Sequence, residues 1–194
     1  MARRFDEARA LWDSSSDGQE AELRERFAEL VDAAYADIGS ALAGAGAYVT
    51  YGNVDRVDLL TKHLPDDNTF VDHGRFEIEG WTVGIMGGGV SSGLNEPGEL
   101  ADGAMADRLD DLGPVDILCT HVAPAIPALQ KDVVGGMSKG SQAVLEYIER
   151  HQPPFHYFGD VHQPQASRWR VGETLCRNVG YFRATGTGQH HPGA

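Results

Sequence analysis

An α/β fold built on a central sheet is what this sequence predicts, and three observations carry that prediction. Apolar residues at helical spacing alternate along the chain with short runs of β-branched and aromatic residues. Three of those runs, residues 47–51, 115–119 and 155–158, are apolar enough for buried strands. Each hands directly to a polar motif: Gly52-Asn53-Val54-Asp55, Thr120-His121 and Gly159-Asp160-Val161-His162. Open α/β sheets bind ligands beyond the carboxyl ends of their strands, so three such loops on neighbouring strands would converge on one spot.

The elements follow in order. Phe5, Ala8, Leu11 and Trp12 share a helical face, and the turn-rich residues 13–19 break that helix and can cap the next. Leu23, Phe27, Leu30, Val31, Ala34, Ile38 and Leu42 recur at spacings of three and four, which predicts a long amphipathic helix ending at Gly44-Ala45-Gly46. After the strand at 47–51 comes a short helix from about 57 to 64, then a hairpin over 70–86 turning at Glu79-Gly80. Gly87-Gly88-Gly89 opens a loop that reaches Glu99, and Leu100, Met105, Leu109 and Leu112 predict a helix closed by Gly113-Pro114. Residues 122–139 read as loop, Val144, Leu145 and Ile148 as a helix ending at His151, and 167–171 with 174–179 as a final strand pair. The organisation expected is a helical segment at 1–46, an α/β core at 47–184 and a loose Gly-rich tail at 185–194.

Composition bounds the partners. The 194 residues are 41% hydrophobic, enough for one domain with a sizeable core. Acidic residues number 29 against 16 basic ones, a net charge of −13, which argues against non-specific binding to nucleic acid or an anionic membrane. The charged start lacks the apolar run of a secretory signal, and residues 41–51 are too short and Gly-rich to span a bilayer. Cys119 and Cys176 lie far apart without a C-x-x-C, so reduced thiols are expected, and the reading is a cytoplasmic protein.

A metal ion is the natural reason to gather Asn53, His121, Asp160 and His162. Imidazole nitrogens with carboxylate and amide oxygens suit Mn, Fe, Zn or Ni. Asp160 and His162, two residues apart, reach a common centre if their loop turns tightly, and Gly52 and Gly159 permit such turns.

In their order and their placement at strand ends, these motifs resemble the late motifs of the calcineurin-like metallophosphoesterases, which run G-N-H-D/E, then T-H or G-H, then G-H-x-H. The resemblance covers about residues 47–182, with Val122-Ala123-Pro124 and Gln163-Pro164 as similar context. It implies a layered α/β/β/α sandwich and hydrolysis of phosphomonoesters or phosphodiesters by a water that two divalent ions, Mn²⁺ foremost, activate ~4 Å apart. The substrate class it implies is a phosphate-ester small molecule or a nucleotide. Asn53, His121 and His162 match metal ligands of the family. Asp160 stands where the first His of G-H-x-H is expected, and Val54 where the family has a His that serves the leaving group. The family's early D-x-H and G-D-x-x-D motifs do not occur before Gly52. The chain therefore reads as lacking the first strands, whether as a fragment, a mis-started product or a degenerate member, with an uncovered apolar sheet edge prone to self-association.

Two other classes compete. A truncated or degenerate member would be a non-catalytic binding or structural protein, for which Val54 and Asp160 speak. Gly136-Met137-Ser138-Lys139-Gly140 matches the G-x-S-x-G nucleophile elbow, with Ser138 as the nucleophile of a serine hydrolase. That elbow needs a strand before it and a helix directly after it, and residues 130–135 make a poor strand.

Overall fold

The computed structural model describes residues 20–92, 96–180 and 182–191. The expected first helix and the turn after it lie outside the described residues. The chain forms two compact units that are not consecutive in sequence: residues 1–49 with 56–70, and residues 50–55 with 71–194.

In the first unit, helix α1 (Glu20–Leu42) buries Val31, Ala34 and Tyr35, three positions on one helical stripe. Helix α2 (Val57–His63) contributes buried Leu60. Gly39 allows the close approach of these helices, because a Cβ there would collide with the backbone carbonyl of His63. Strand β1 (Tyr48–Val49) pairs in parallel with β2 (Thr69–Phe70). Asn68 ties this pair to the helix end, donating from Nδ2 to the Leu42 carbonyl at 3.0 Å and accepting at Oδ1 from the Ala47 N–H at 2.9 Å.

This corrects one expectation. The strand foreseen at 47–51 contributes only two residues, and they pair with β2 rather than entering the large sheet. Tyr48 is exposed, so its run lacks the two buried faces that a central parallel strand requires.

The second unit is organised by a six-stranded mixed sheet in the order β11-β12-β10-β7-β4-β3. Its strands are β3 (His73–Ile78), β4 (Trp81–Met86), β7 (Ile117–Thr120), β10 (Phe155–Phe158), β11 (Arg168–Val171) and β12 (Thr174–Asn178). The central four run parallel, with Cys119 of β7 opposite Ile85 on one side and Tyr157 on the other. Antiparallel hairpins close both edges. Glu79 (φ 51°) and Gly80 (φ 85°) form the two-residue β3–β4 loop, and paired positive φ is the primed geometry that matches strand twist. The edge strands carry exposed His73, Arg75 and Glu77 on β3, and Arg168, Trp169 and Arg170 on β11.

Alternation along the strands divides the core. Met86, Leu118, Phe158 and Cys176 point to one face, where α3 (Asp102–Leu112) adds Met105, Leu109 and Leu112 and α5 (Gln142–His151) adds Val144, Tyr147 and Ile148. Val83, Ile85 and Ile117 form the opposite face, with Trp81, Cys119, Phe155 and Tyr157 packed against them. The tail, expected to be loose, reaches that second face. His191 sets its ring edge-on to Phe155 (4.6 Å) and Trp81 (5.0 Å), and its Nδ1 lies 2.8 Å from the Tyr157 hydroxyl.

Five short elements complete this unit: β5 (Gly89–Val90) with β6 (Glu99–Leu100), β8 (Ala123–Pro124) with β9 (Gly140–Ser141), and the one-turn α4 (Pro127–Gln130). Ser141 caps α5, accepting the Val144 N–H at 3.2 Å while donating to Asp102 Oδ1 at 2.6 Å. The other Asp102 oxygen accepts the Ala143 N–H at 3.2 Å, so one carboxylate joins the starts of both helices. Ser141→Ala removes the cap and one of those bonds together, and should cost about 1–2 kcal/mol in chemical denaturation. An unchanged midpoint would show that water replaces both bonds at no cost.

Candidate functional site

Two neighbouring parallel strands present the site. β7 ends at Thr120 and β10 at Phe158, and the Gly159 N–H donates to the His121 carbonyl at 3.0 Å, which locks the two following loops together. Asp160 adopts φ 57°, a left-handed conformation that a short polar side chain tolerates, and it turns the loop back on itself. The Val161 carbonyl then accepts from Asn178 Nδ2 at 2.8 Å.

The third loop arrives by another route. Asn53 follows a segment pinned to the end of the β3–β4 hairpin rather than to a sheet strand. Thr50 Oγ1 donates to the Val71 carbonyl at 2.8 Å, and the Tyr51 carbonyl accepts the Gly88 N–H at 2.9 Å. Tyr51 also donates its hydroxyl to Asp72 at 2.6 Å, and Arg108 reaches both groups at 3.0 and 2.6 Å. Gly52 donates to Asp55 Oδ2 at 2.6 Å, closing a turn around Asn53. The Asn53 carbonyl accepts the Gly98 N–H at 2.8 Å.

Asn53, His121 and Asp160 thus come together although one of them is not on the sheet. His121 Nε2 lies 3.4 Å from Asn53 Oδ1 and 3.8 Å from Asp160 Oδ1. The backbone of Gly52 lies flat against the imidazole, so a Cβ there would stand 2.5 Å from Cε1 and 2.6 Å from Nε2. Asp160 is almost wholly buried, its side chain 5% exposed. Burial holds the His121 pKa below the usual imidazole value; Asp160 and Asp55 oppose that effect, while Lys139 and His162 add to it. The ring is therefore neutral near pH 7, the state in which a nitrogen lone pair is available.

His162 was the fourth residue expected at this centre. It is exposed, on the loop that follows Asp160. Among the described residues no three His, Cys, Asp or Glu side chains gather as a metal site, so His121, Asp160 and His162 do not form one; the third donor beside His121 and Asp160 is the Asn53 amide. Val54 is 62% exposed beside that amide. Octahedral or tetrahedral ligands at about 2.1 Å from an ion stand ~3.0–3.4 Å apart. His121 Nε2, at 3.4 Å from one oxygen and 3.8 Å from the other, stands at the upper limit of that spacing and beyond it.

Two features escaped the sequence reading. Lys139 places Nζ 2.7 Å from Asp160 Oδ1. It lies within the G-x-S-x-G match, where Ser138 drew the attention. Ser138 itself is exposed, pairs in an isolated bridge with Lys131 and leads into β9 rather than directly into a helix, which is not the setting of a nucleophile elbow. The second feature is a buried pair behind the site. Thr120 Oγ1 donates to the Val122 carbonyl at 2.6 Å, so it must accept from His156 Nε2 at 2.9 Å. That assigns the proton of the neutral His156 to Nε2 and leaves Nδ1 buried, with no partner among the described residues. Burial pushes the His156 pKa down to about 3.

A cavity of about 680 Å³ opens beside His121, floored by Val83, Ile117, Cys119 and Tyr157 and rimmed by Asp55 and Gln189. Burial pushes the thiols of Cys119 and Cys176 up to about 12, so both are inert at neutral pH. No helix among the described residues is long and apolar enough to cross a membrane.

No protein-family model matches the chain, and no curated protein does. Among solved structures, one crystal structure aligns with 94% of this chain and 75% of its own, at a TM-score of 0.61 and 18% identity. That likeness establishes a shared α/β fold. A hypothetical protein from Thermus thermophilus aligns with 79% of this chain and 71% of its own at a TM-score of 0.38 and 14% identity, too distant to inform the fold.

Proposed function

We propose that this chain is a metallophosphoesterase-type hydrolase domain of the layered α/β/β/α class, acting in the cytoplasm on a phosphate-ester small molecule or nucleotide. The observation that carries the reading is the meeting of Asn53 Oδ1, His121 Nε2 and Asp160 Oδ1 beyond the carboxyl ends of parallel strands. These residues would hold one divalent ion, Mn²⁺ foremost, and a second ion needs donors beyond them. When bound, such an ion supplies Lewis-acid polarisation of a phosphoryl oxygen and a water of lowered pKa.

The chain's own groups have defined parts. Asp160 supplies the buried negative charge that attracts a cation, and the neutral His121 ring supplies a nitrogen lone pair. Gly52 clears the space in which that ring lies. The adjoining cavity of about 680 Å³, with its apolar floor, has room for a substrate of nucleoside size. At position 54 valine offers no proton to a leaving group, and loss of a positioned acid typically costs about 10²–10⁴-fold in rate.

The test is metal content by mass spectrometry beside hydrolysis of an aryl phosphodiester. The chain should bind one Mn²⁺ weakly and turn over slowly, and His121→Ala should lower both by at least about tenfold. Turnover that survives His121→Ala would sink the metal-site reading. Metal binding with no turnover at all would favour the second reading, a non-catalytic binding protein, for which the exposed Val54 and the Lys139–Asp160 ion pair speak.

A further inference from the structure

The Asp160 carboxylate already has a cation. Lys139 Nζ lies 2.7 Å from Oδ1, the same oxygen that faces His121 Nε2 at 3.8 Å, and 3.4 Å from the Asp160 carbonyl. The Lys139 side chain is 23% exposed and that of Asp160 5%, so this pair is not a loose surface contact. Its backbone is anchored on both sides. The Lys139 N–H donates to the Gln130 carbonyl at 2.9 Å, and the next two residues form β9, paired with β8. Before it, Asp132 accepts from the N–H groups of Val134 and Gly135, and its own N–H donates to the Met137 carbonyl at 3.0 Å.

We propose that Lys139 is a displaceable built-in cation that competes with a divalent ion for Asp160. This rests on the proposed reading of Asn53, His121 and Asp160 as the ligand set. An ammonium 2.7 Å from Oδ1 stands where an ion bonded to that oxygen would stand or repel it, and like charges at ~3–4 Å in a partly buried site do not coexist cheaply. With Lys139 in place the carboxylate is neutralised and the site is stable without metal. A divalent ion enters only by displacing the ammonium from Asp160 Oδ1, within or beyond the cavity of about 160 Å³ that Lys139 shares with Asn53, Asp160, Ser91, Ser92 and Glu96. Lysine suits such a part, being a point charge on a flexible stem.

Titration calorimetry with MnCl₂ tests this on the wild-type chain, Lys139→Met, Lys139→Arg and His121→Ala. Lys139→Met is expected to raise Mn²⁺ affinity at least tenfold, Lys139→Arg to leave it at or below the wild-type level, and His121→Ala to weaken it. Equal affinity in the wild type and Lys139→Met, with His121→Ala still weakened, overturns the competition and leaves the ligand set standing. Binding that is absent in every variant, or indifferent to His121, overturns the ligand set and the competition with it. Should Lys139→Met fail to fold, lysine side-chain NMR of the wild type titrated with Zn²⁺ decides. Movement of the Lys139 signal in step with binding supports displacement, and a stationary signal refutes it.

Discussion

On the proposed ligand set, Gly52→Ala is expected to weaken divalent-ion binding about 100-fold, because the added Cβ would collide with the His121 ring at Cε1 and Nε2. A Cβ at position 52 would lie 2.5, 2.6 and 2.9 Å from three atoms of the His121 imidazole, closer than real side-chain carbons come. The Gly52 carbonyl also lies close to Gly98, where an added Cβ would collide with it, so this loop is closely packed on a second side. The ring must therefore shift by about an ångström, and misplacement on that scale costs on the order of 10²-fold in function that depends on geometry. Calorimetry with Mn²⁺ and the His121 ring resonances report the two halves of the effect. Native affinity with an unshifted ring would show that the loop yields and that the close approach is incidental.

Acid should destabilise the protein well above the carboxylate range. His156 ionises at about 3 in the folded chain and at the ordinary 6.5 once unfolded. Between those values the unfolded state binds more protons than the folded state, so stability rises with pH there and falls as pH is lowered through 6.5 towards 3. The slope contributed by one such group is about 1.4 kcal/mol per pH unit. Lowering pH from 7 to 5 should remove about 2 kcal/mol, or roughly 4–8 °C of Tm for a domain of this size. His121, depressed in the same direction, adds to the loss. Asp72 is held below 3.8 and so acts only at lower pH. Thermal melts at pH 7 and 5 for the wild type and His156→Gln provide the check, with the variant expected to show a flatter dependence. Identical pH slopes would mean that His156 is solvated in the folded protein.

Local chemistry was readable in the residues to different degrees. The long helix followed from Val31, Ala34 and its neighbours at helical spacing, and the β3–β4 hairpin from Glu79-Gly80, because both depend on contacts close in sequence. Asn53, His121 and Asp160 could be paired in advance because each follows an apolar run. The sheet order could not be read that way. β4 rather than β1 lies beside β7, and the choice turns on which apolar run can be buried on both faces, which Tyr48 prevents. Lys139 had no periodic or motif signal. Its meeting with Asp160, 21 residues away, is made by two loops, one placed by β8–β9 pairing and the other by the end of β10. The pairing of Thr120 with His156 is of the same kind, a contact over 36 residues.

The packing of His191 carries a consequence for the order in which the protein is made. Its partner Tyr157 precedes it by 34 residues, and Trp81 and Phe155 were synthesised earlier still. At about 5–20 residues per second, translation separates Tyr157 from His191 by roughly 2–7 seconds. Throughout that interval the aromatic side of the nascent sheet lacks the ring that later rests on it. Apolar surface bared during synthesis is where chaperones bind and neighbouring chains on a polysome adhere. A stalled or prematurely stopped message that ends before residue 191 would release a chain in which that interval never closes.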